Sequence, residues 1–306
     1  MDQGMTLTHA QIAELACFME ALCPKPGNVY PGRPFKYLNE MSFVVSAMGL
    51  AEAFSSDETA GRLALRAARS AKKLVGRNAN LGIILLLAPL VRAAGKSDGG
   101  GRRSAGRASV RQVLEDLGPD DSEAIYEAIR ILSPEGLGKS SQYDVNGAGP
   151  VPPILDAMKL ASGWDSVAGE YASGYEITFG LAAPAISSFR NEGHTLKDSI
   201  LQAFLTVLAE VPDTLTERKL GRAAAERTSA LARSALLAGG CFTGRGRDAI
   251  SEMDRELRDA DNLKNPGATA DLIAAGIFVF LSEELRRTPL TAIVDRWDEH
   301  PDNIIL

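Results

Sequence analysis

The stretch that decides the fold is residues 270–285, ADLIAAGIFVFLSEEL. Apolar residues cover nearly the whole circumference of the helix that this stretch would form, whereas a surface helix carries them on one stripe. A helix of this kind belongs in the middle of a bundle. We therefore expect the core of the protein to close around it.

Outward from this centre, the chain spaces its apolar residues as amphipathic helices do almost everywhere. The pattern predicts helices at 8–23, 40–54, 60–75, 81–91, 124–132, 154–161 and 195–208. Thr8 and Thr195 are expected to cap two of them. One strand-like stretch, 175–179, has no partner strand, so we predict that it is helical or irregular. The predicted fold class is all-α, a multi-helix bundle.

Composition and length are those of a globular domain. The 306 residues carry 33 Lys and Arg against 39 Asp and Glu, a formal net charge of −6, which is unlike the basic surface of a nucleic-acid-binding protein. No apolar run approaches the roughly 20 residues needed to cross a bilayer. We predict a single all-α domain over 1–306, with no nucleic acid and no membrane as partner. A mobile loop is expected at the Gly- and Arg-rich residues 95–107.

The few cysteines and histidines exclude several kinds of site. Cys17, Cys23 and Cys241 are an odd number without paired spacing, so neither a disulfide framework nor a zinc site is indicated, and we expect a cytoplasmic protein. No histidine lies in the polar motifs described below, which argues against a Ser-His-Asp triad or a histidine-bound metal. The sequence is compatible with a homo-oligomer but does not specify one.

Polar motifs between the helices carry the candidate chemistry. The first, CPKPGNV at 23–29, holds Lys25 between two prolines and follows it with a permissive glycine, an arrangement that suits phosphate. The second, NANLG at 78–82, places two amides and a glycine at a helix start, where phosphate or ribose hydroxyls can bind. A stiff turn and an ordinary asparagine cap are the alternatives for these two motifs.

Three further motifs follow along the chain. GLGKSS at 136–141 resembles the end of a Walker A loop, but Ser133 stands where that motif needs glycine and no strand precedes it, so we reject that reading. In PDTLTERKLG, 212–221, acids and bases share a helical face, which is also typical of a surface ion-pair helix. NPGATAD, 265–271, begins the central helix, whose N-terminus attracts anions, although Thr269 or Asp271 could simply cap it.

In this order, the motifs resemble those of the triphosphoribosyl-dephospho-CoA synthase family. The similarity extends over residues 22–285 and includes PKPGNV (24–29), a phenylalanine pattern (35–47), NxNLGIxLLLAPL (78–90), GLG with DV (136–145), DxxAxxY (165–171), PDTLxxRKxG (212–221) and NPGxTADL (265–272). Each motif is weak alone. Capping and turn rules do not dictate the whole set, so its joint occurrence favours the family.

The resemblance implies an all-α transferase that moves the 5-triphosphoribosyl group of ATP onto the 2′-hydroxyl of 3′-dephospho-CoA and releases adenine. ATP is then a substrate, the acceptor is CoA-type, and Mg²⁺ is expected with the triphosphate. Breaking an N-glycosidic bond needs nearby carboxylates, so catalytic roles are expected for Asp144, Asp213, Asp271 and Lys25, and metal binding for Asp144 and Asp213. Substrate-binding roles are expected for Pro26, Gly27, Asn28, Asn78, Asn80, Gly82, Arg218, Lys219, Asn265, Gly267 and Thr269.

Two departures from the family pattern leave the acceptor open. Many relatives carry acidic residues where this chain has Tyr37 and Ser42, and citrate-linked synthases resemble NTHKG where it has NANLG at 78–82. One alternative function is ribosyl-phosphate transfer onto a pterin-type cofactor precursor. Another is a catalytically silent helical protein that binds nucleotide without releasing adenine. Under the family reading, Lys25→Ala is expected to weaken triphosphate binding and to leave the fold intact.

Overall fold

Helices form the whole regular structure of the part of the chain that can be described. A computed structural model describes residues 6–95, 105–133, 140, 142–147 and 149–298. Within these ranges there is no β-strand, and one isolated bridge joins Tyr30 and Arg33. The predicted all-α, multi-helix class is confirmed.

The helices follow one another through the chain with short connections. Their bounds are α1 (His9–Leu22), α2 (Glu40–Ala47), α3 (Leu50–Ala53), α4 (Ala60–Val75), α5 (Leu81–Gly95), α6 (Arg107–Glu115), α7 (Pro119–Leu132), α8 (Ile154–Ala161), α9 (Ser166–Ser173), α10 (Ala183–Asn191), α11 (Leu196–Glu210), α12 (Thr214–Leu220), α13 (Arg222–Leu237), α14 (Gly244–Leu257), α15 (Gly267–Glu284) and α16 (Leu290–Val294). A π-helical turn, Thr178–Ala182, precedes α10, and a 3₁₀ turn, Gly240–Phe242, precedes α14. None of the helices in the described ranges is both long and apolar enough to span a bilayer.

The central helix is α15, as the sequence predicts. Nearly all of its 18 residues are buried, and α1, α5, α9, α10, α11 and α12 pack around it. Its apolar circumference is therefore matched by neighbours on every side, which stabilises the fold by removing that surface from water. This arrangement also fixes the N-terminal turn of α15, which carries part of the site described below.

Helix α5 contains Pro89 and still continues through it. Proline lacks the N–H that would bond to the carbonyl four residues earlier, here that of Leu85. The hydroxyl of Tyr171 donates to the Leu85 carbonyl at 2.8 Å, and the hydroxyl of Tyr175 donates to the Leu86 carbonyl at 2.8 Å. Two buried tyrosines thus satisfy the carbonyls of the helix near the proline, which explains why the apolar run 81–91 forms one helix.

Two expectations differ in detail from the structure, and a third is confirmed. The predicted helix 40–54 is divided into α2 and α3 at Gly49, where an added Cβ would lie 2.0 Å from Ser70 Oγ on α4. Most of the predicted mobile loop, 96–104, lies outside the described residues, but Arg107 begins α6 and its Nε donates to the Gly174 carbonyl at 2.9 Å. The strand-like stretch 175–179 is helical from residue 176 and runs into the π-helical turn, which confirms the prediction that it is helical or irregular.

Candidate active site

A single large cavity collects most of the polar motifs. It has a volume of about 870 Å³, within the range of about 300–1,000 Å³ that small-molecule sites occupy. Its wall is built from the end of α1 and the loop after it, the connection from α4 to α5, helix α12 and the start of α15. Of the predicted site residues, those on the wall are Asn28, Asn78, Gly82, Asp144, Arg218, Lys219, Asn265, Gly267 and Asp271.

Asp271 carries the most perturbed carboxyl on this wall. It lies in the first turns of α15, partly exposed to the cavity. Loss of water contacts raises the pKa of Asp271 well above its usual range, and the nearby carboxylates of Glu20, Asp213 and Asp165 raise it further, while Arg218 lowers it. A carboxyl in this environment binds a proton more readily than an ordinary aspartate does.

The start of α5 faces Asp271. A Cβ added to Gly82 would lie 2.0 Å from Asp271 Oδ2, so the absence of a side chain at this position lets the carboxylate lie against the helix. Asn78 caps α5 by accepting a hydrogen bond from the Leu81 amide at 3.1 Å. Asn80 is buried behind the wall, and its Nδ2 donates to the Phe43 carbonyl at 3.1 Å. Asn78 therefore has the capping role that was the alternative to ligand binding, and it also lies on the cavity wall.

Lys25 lies behind the cavity. Its ammonium is fully buried, 3.0 Å from Glu20 Oε1, and donates to the Cys23 carbonyl at 2.9 Å. Lys25 neutralises the carboxylate of Glu20, and of these two residues it is Glu20 that lies on the cavity wall. This placement does not fit the predicted direct contact between Lys25 and a triphosphate. It also does not fit the expectation that Lys25→Ala leaves the fold intact, because the substitution would leave a buried carboxylate unpaired.

Helix α14 holds the loop after Lys25 in place. The Gly27 amide donates to Asp254 Oδ1 at 2.8 Å, and Arg258 Nη2 donates to the Asn28 carbonyl at 2.7 Å. Gly27 has a φ of +75°, and a Cβ there would lie 2.8 Å from Leu257 Cβ, so only glycine fits. Pro26 and Gly27 are not on the wall, whereas Asn28 is, with its Nδ2 donating to the Pro266 carbonyl at 3.3 Å.

Asp213 joins α12 to α15. Its Oδ1 accepts from the Thr216 amide at 2.9 Å as the N-cap of α12, and its Oδ2 accepts from the amide and hydroxyl of Thr269 at 2.7 and 2.9 Å. The side chain is buried and is not on the cavity wall. Both carboxylate oxygens are therefore engaged in positioning two helices, and Thr269 shares that role.

One corner of the cavity is suited to an anion. Arg218 pairs with Asp165, the N-cap of α9, and its buried Nε has no hydrogen-bond partner in the part of the chain that is described. Lys219 Nζ donates to Asn265 Oδ1 at 3.1 Å. The N-terminus of the 18-residue helix α15 begins at Gly267 in the same corner. Cations, an amide and a helix N-terminus together favour phosphate.

The two predicted metal ligands are not brought together. Asp144 is on the wall, where its Oδ2 accepts from the Ser140 amide and its Oδ1 from the Asn146 amide, each at 2.8 Å. Asp213 lies behind the wall with both oxygens engaged. Among the residues that the structure describes, no three His, Cys, Asp or Glu side chains are grouped to hold a metal ion. This donor set does not fit a resident metal site.

Apolar and aromatic side chains also line the cavity. Tyr126, Met158 and Trp164 contribute to it from α7, α8 and the turn after α8. The Tyr126 hydroxyl donates to the Tyr143 carbonyl at 3.2 Å, which ties the segment 142–147 to α7. The cavity therefore offers both charged and apolar surfaces, which suits a ligand with both phosphate and ring or alkyl parts.

Sequence reasoning missed three residues that shape the site. Glu20 occupies a polar position of an ordinary amphipathic helix, so its sequence carries no special signal. Asp165 begins the DxxAxxY motif at 165–171, whose sequence does not indicate a role for it. Asp254 carries the clearest signal, because it follows Ile250 by four residues and so lies beside an apolar stripe that includes Met253 and Leu257. A carboxylate on a buried helix face needs a partner, and the partner is the loop at Gly27.

Comparison with known proteins identifies a family. The model of the family described as ATP:dephospho-CoA triphosphoribosyl transferase matches residues 6–289. A 2-(5''-triphosphoribosyl)-3'-dephosphocoenzyme-A synthase of Klebsiella pneumoniae is 29% identical over 99 residues, 32% of this chain and 35% of that protein. A protein of Pseudomonas fluorescens, provisionally given the same name, is 29% identical over 110 residues, 36% of this chain and 37% of that protein. The matched region thus spans about a third of each curated relative.

A solved structure extends the similarity to most of the chain. It is a crystal structure from Archaeoglobus fulgidus, provisionally described as a triphosphoribosyl-dephospho-CoA synthase. The two chains superpose with a TM-score of 0.59 and 25% sequence identity, over 79% of this chain and 98% of the other. The helical architecture is therefore shared over nearly the whole length of that protein.

Proposed function

Because this chain belongs to the ATP:dephospho-CoA triphosphoribosyl transferase family, we propose that it transfers the 5-triphosphoribosyl group of ATP to the 2′-hydroxyl of 3′-dephospho-CoA and releases adenine. The observation that carries the proposal is one cavity in which the Asp271 carboxyl lies between the start of α5 and the cationic corner of Arg218 and Lys219. In this proposal, Asp271 is the proton acceptor and the neighbouring corner is the phosphate site.

The cationic corner supplies the triphosphate site. The triphosphate of ATP carries about four negative charges, and it needs cations and amide donors that are already in place. Arg218 offers its Nε, Lys219 an ammonium and Asn265 an amide, and the positive end of the α15 dipole lies at the same corner. Asp213 and Thr269 act from behind by holding α12 against α15.

The carboxylates supply the ribosyl chemistry. The bond from the anomeric carbon to adenine breaks with its electron pair leaving on the adenine nitrogen, and the acceptor oxygen bonds to the same carbon. Positive charge develops on that ribose, so Glu20 and Asp165 on the wall stabilise it. Asp271 takes the proton that the attacking hydroxyl loses, which balances the proton that adenine gains. Lys25 keeps Glu20 in place as its buried partner.

Mg²⁺ is proposed to enter with the triphosphate as part of the substrate. Magnesium commonly keeps several waters and is held through substrate phosphates with only one or two carboxylates. The wall has no preformed carboxylate cage among its described residues, which is compatible with this mode. Asp144 is assigned to holding its own loop against the cavity, through the amides of Ser140 and Asn146.

The three cysteines support a reducing compartment. Cys17, Cys23 and Cys241 are buried and free, and burial raises the pKa of Cys23 to about 12. Such thiols stay protonated and are not poised for disulfide exchange. We therefore place the reaction in the cytoplasm.

Adenine release tests the proposal directly. The intact protein is incubated with ATP and Mg²⁺, with and without dephospho-CoA, and adenine is measured by chromatography while the coupled product is identified by mass. We expect release that depends on dephospho-CoA and is lowered at least about 100-fold in Asp271→Asn. Tight ATP binding without release would contradict the proposal. A screen of pterin-type precursors would then separate a different acceptor from a silent nucleotide-binding protein.

A further inference from the structure

A second group of cations lies on the cavity wall, apart from Arg218 and Lys219. Lys72 is in the last turn of α4, Arg77 is in the connection to α5, and Lys36 is in the loop before α2. We call them the Lys36–Lys72–Arg77 cluster. No role in the chemistry proposed above has been assigned to any of them.

Tyr37 organises the cluster. Arg77 Nη1 donates to the Tyr37 carbonyl at 2.7 Å, and Lys36 Nζ lies 5.2 Å from the centre of the Tyr37 ring. These contacts place the Arg77 guanidinium and the Lys36 ammonium near the same exposed aromatic residue. The ring itself is free to stack on a flat ligand, since 68% of the residue is exposed.

The positive charge of the cluster is not neutralised within the described chain. None of its three side chains forms an ion pair with a carboxylate there, whereas Arg218 in the other corner pairs with Asp165. Three exposed cations without a paired carboxylate on one cavity wall attract anionic ligands. The cluster therefore has the charge expected of a site for a polyphosphate.

The proposed reaction brings two riboses together, and each carries a polyphosphate on its 5′ carbon. The two polyphosphates belong to two different substrates, so each needs its own cations. Asp271 and Gly82 mark the reacting position. The corner where α12 meets α15 is close to Asp271 in the sequence. Arg77 precedes Gly82 by five residues, so their Cα atoms are at most about 18 Å apart.

We propose that the Lys36–Lys72–Arg77 cluster binds the diphosphate of the acceptor, which makes it the acceptor subsite of the function proposed above and rests on that function. The triphosphate carries more charge and goes to the corner that adds a helix N-terminus to its cations. The acceptor keeps its adenine through the reaction, and the exposed Tyr37 ring beside the cluster offers a surface for that base.

Steady-state kinetics of charge-removing variants test the assignment. We expect Arg77→Gln and Lys36→Gln each to raise the KM for dephospho-CoA about tenfold, the size expected for one charge-assisted contact, with the KM for ATP changed by less than about twofold. Lys73→Gln is the matched control, because Lys73 neighbours Lys72 on α4 and is exposed away from the cavity wall. A raised KM for ATP, or kinetics equal to those of the control, would overturn the proposal.

Binding without turnover separates this proposal from the reaction itself. Calorimetry measures the affinity of the wild type and Arg77→Gln for dephospho-CoA in the absence of ATP, with pantetheine as the probe that lacks the diphosphate. A loss of about tenfold for dephospho-CoA with no change for pantetheine supports the subsite even if the wild type releases no adenine. Equal affinities of the two proteins for dephospho-CoA, or no binding by the wild type, would refute it.

Discussion

The carboxylate of Asp271 lies so close to Gly82 that a Cβ atom added to the glycine would stand 2.0 Å from Asp271 Oδ2. The two residues are on different helices, at the N-terminal turns of α15 and α5. Their contact sets where the carboxylate stands in the cavity. It also means that the position of the carboxylate can be changed without altering the carboxylate itself.

Gly82→Ala is therefore expected to lower kcat strongly. The new methyl group must push the Asp271 carboxylate aside, and a misplacement of about 1 Å at a reacting group can lower the rate about 100-fold. Gly95→Ala is the matched control, because it lies in the same helix and its added Cβ would meet no atom within 4 Å. Wild-type kcat in Gly82→Ala, measured by adenine release, would show that the position of Asp271 does not matter.

The pH dependence of stability should reveal the same carboxyl. Burial raises the pKa of Asp271 well above its usual range, so between the unfolded and folded pKa values the folded protein holds a proton that the unfolded chain has lost. Unfolding free energy must then fall as pH rises through this window. Asp271→Asn removes this titrating group. We therefore expect the melting temperature of the variant to rise relative to that of the wild type as the pH increases above about 4.

Melting curves across that pH range check the sign. Asp120→Asn serves as the control, because its side chain is 83% exposed and the substitution removes a carboxylate from the surface. If the difference in melting temperature between Asp271→Asn and the wild type stays constant across the pH range, then Asp271 has the same pKa in the folded and unfolded states.

The helices were predictable because their signals lie in short stretches of sequence. The apolar circumference of 270–285 and the stripe of 60–75 depend only on local spacing, and both appear in the structure as α15 and α4. The division between α2 and α3 was not predictable, because it depends on how closely Gly49 approaches Ser70 on another helix. Local patterns give the type of element, and tertiary contacts decide where it is interrupted.

The site was predictable as a set of motifs but not in the direction of each side chain. The PKPGNV motif shows a restrained lysine, yet nothing in it tells whether Lys25 faces a ligand or Glu20. The partner of Gly27, Asp254, is 227 residues away in the sequence. Wall residues and supporting residues carry the same polar side chains, and only packing separates them.

Lys25→Met should destabilise the protein. It would leave the Glu20 carboxylate without its buried partner, and breaking such a pair by removing one member costs about 3–5 kcal/mol. The double variant Lys25→Met with Glu20→Gln removes both charges, so we expect it to recover much of that free energy of unfolding. Chemical denaturation measures both values. A Lys25→Met variant with wild-type stability and weakened ATP binding would instead favour direct contact between Lys25 and the triphosphate.

Asp254 is expected to act on catalysis through the loop that it holds. Its carboxylate accepts from the Gly27 amide at 2.8 Å, the Tyr30 hydroxyl at 3.0 Å and Arg258 Nε at 2.8 Å. Asp254→Leu removes both acceptor oxygens and so all three hydrogen bonds, and we expect a loss of about 1–3 kcal/mol for the unsatisfied groups. We also expect kcat/KM to be lowered, because Asn28 shifts on the cavity wall.

A conservative replacement separates this positioning role from a general loss of stability. Asp254→Asn keeps one side-chain oxygen for the Gly27 amide and loses the charge that Arg258 pairs with, so we expect kcat/KM to recover further toward wild type than the melting temperature does. Arg255→Gln on the same helix is the control, since its side chain is 68% exposed. If Asp254 positions the loop, the oxygen that Asp254→Asn retains should restore kcat/KM more than it restores the melting temperature. A kcat/KM that falls in proportion to the melting temperature in both Asp254 variants would show that Asp254 contributes only to stability.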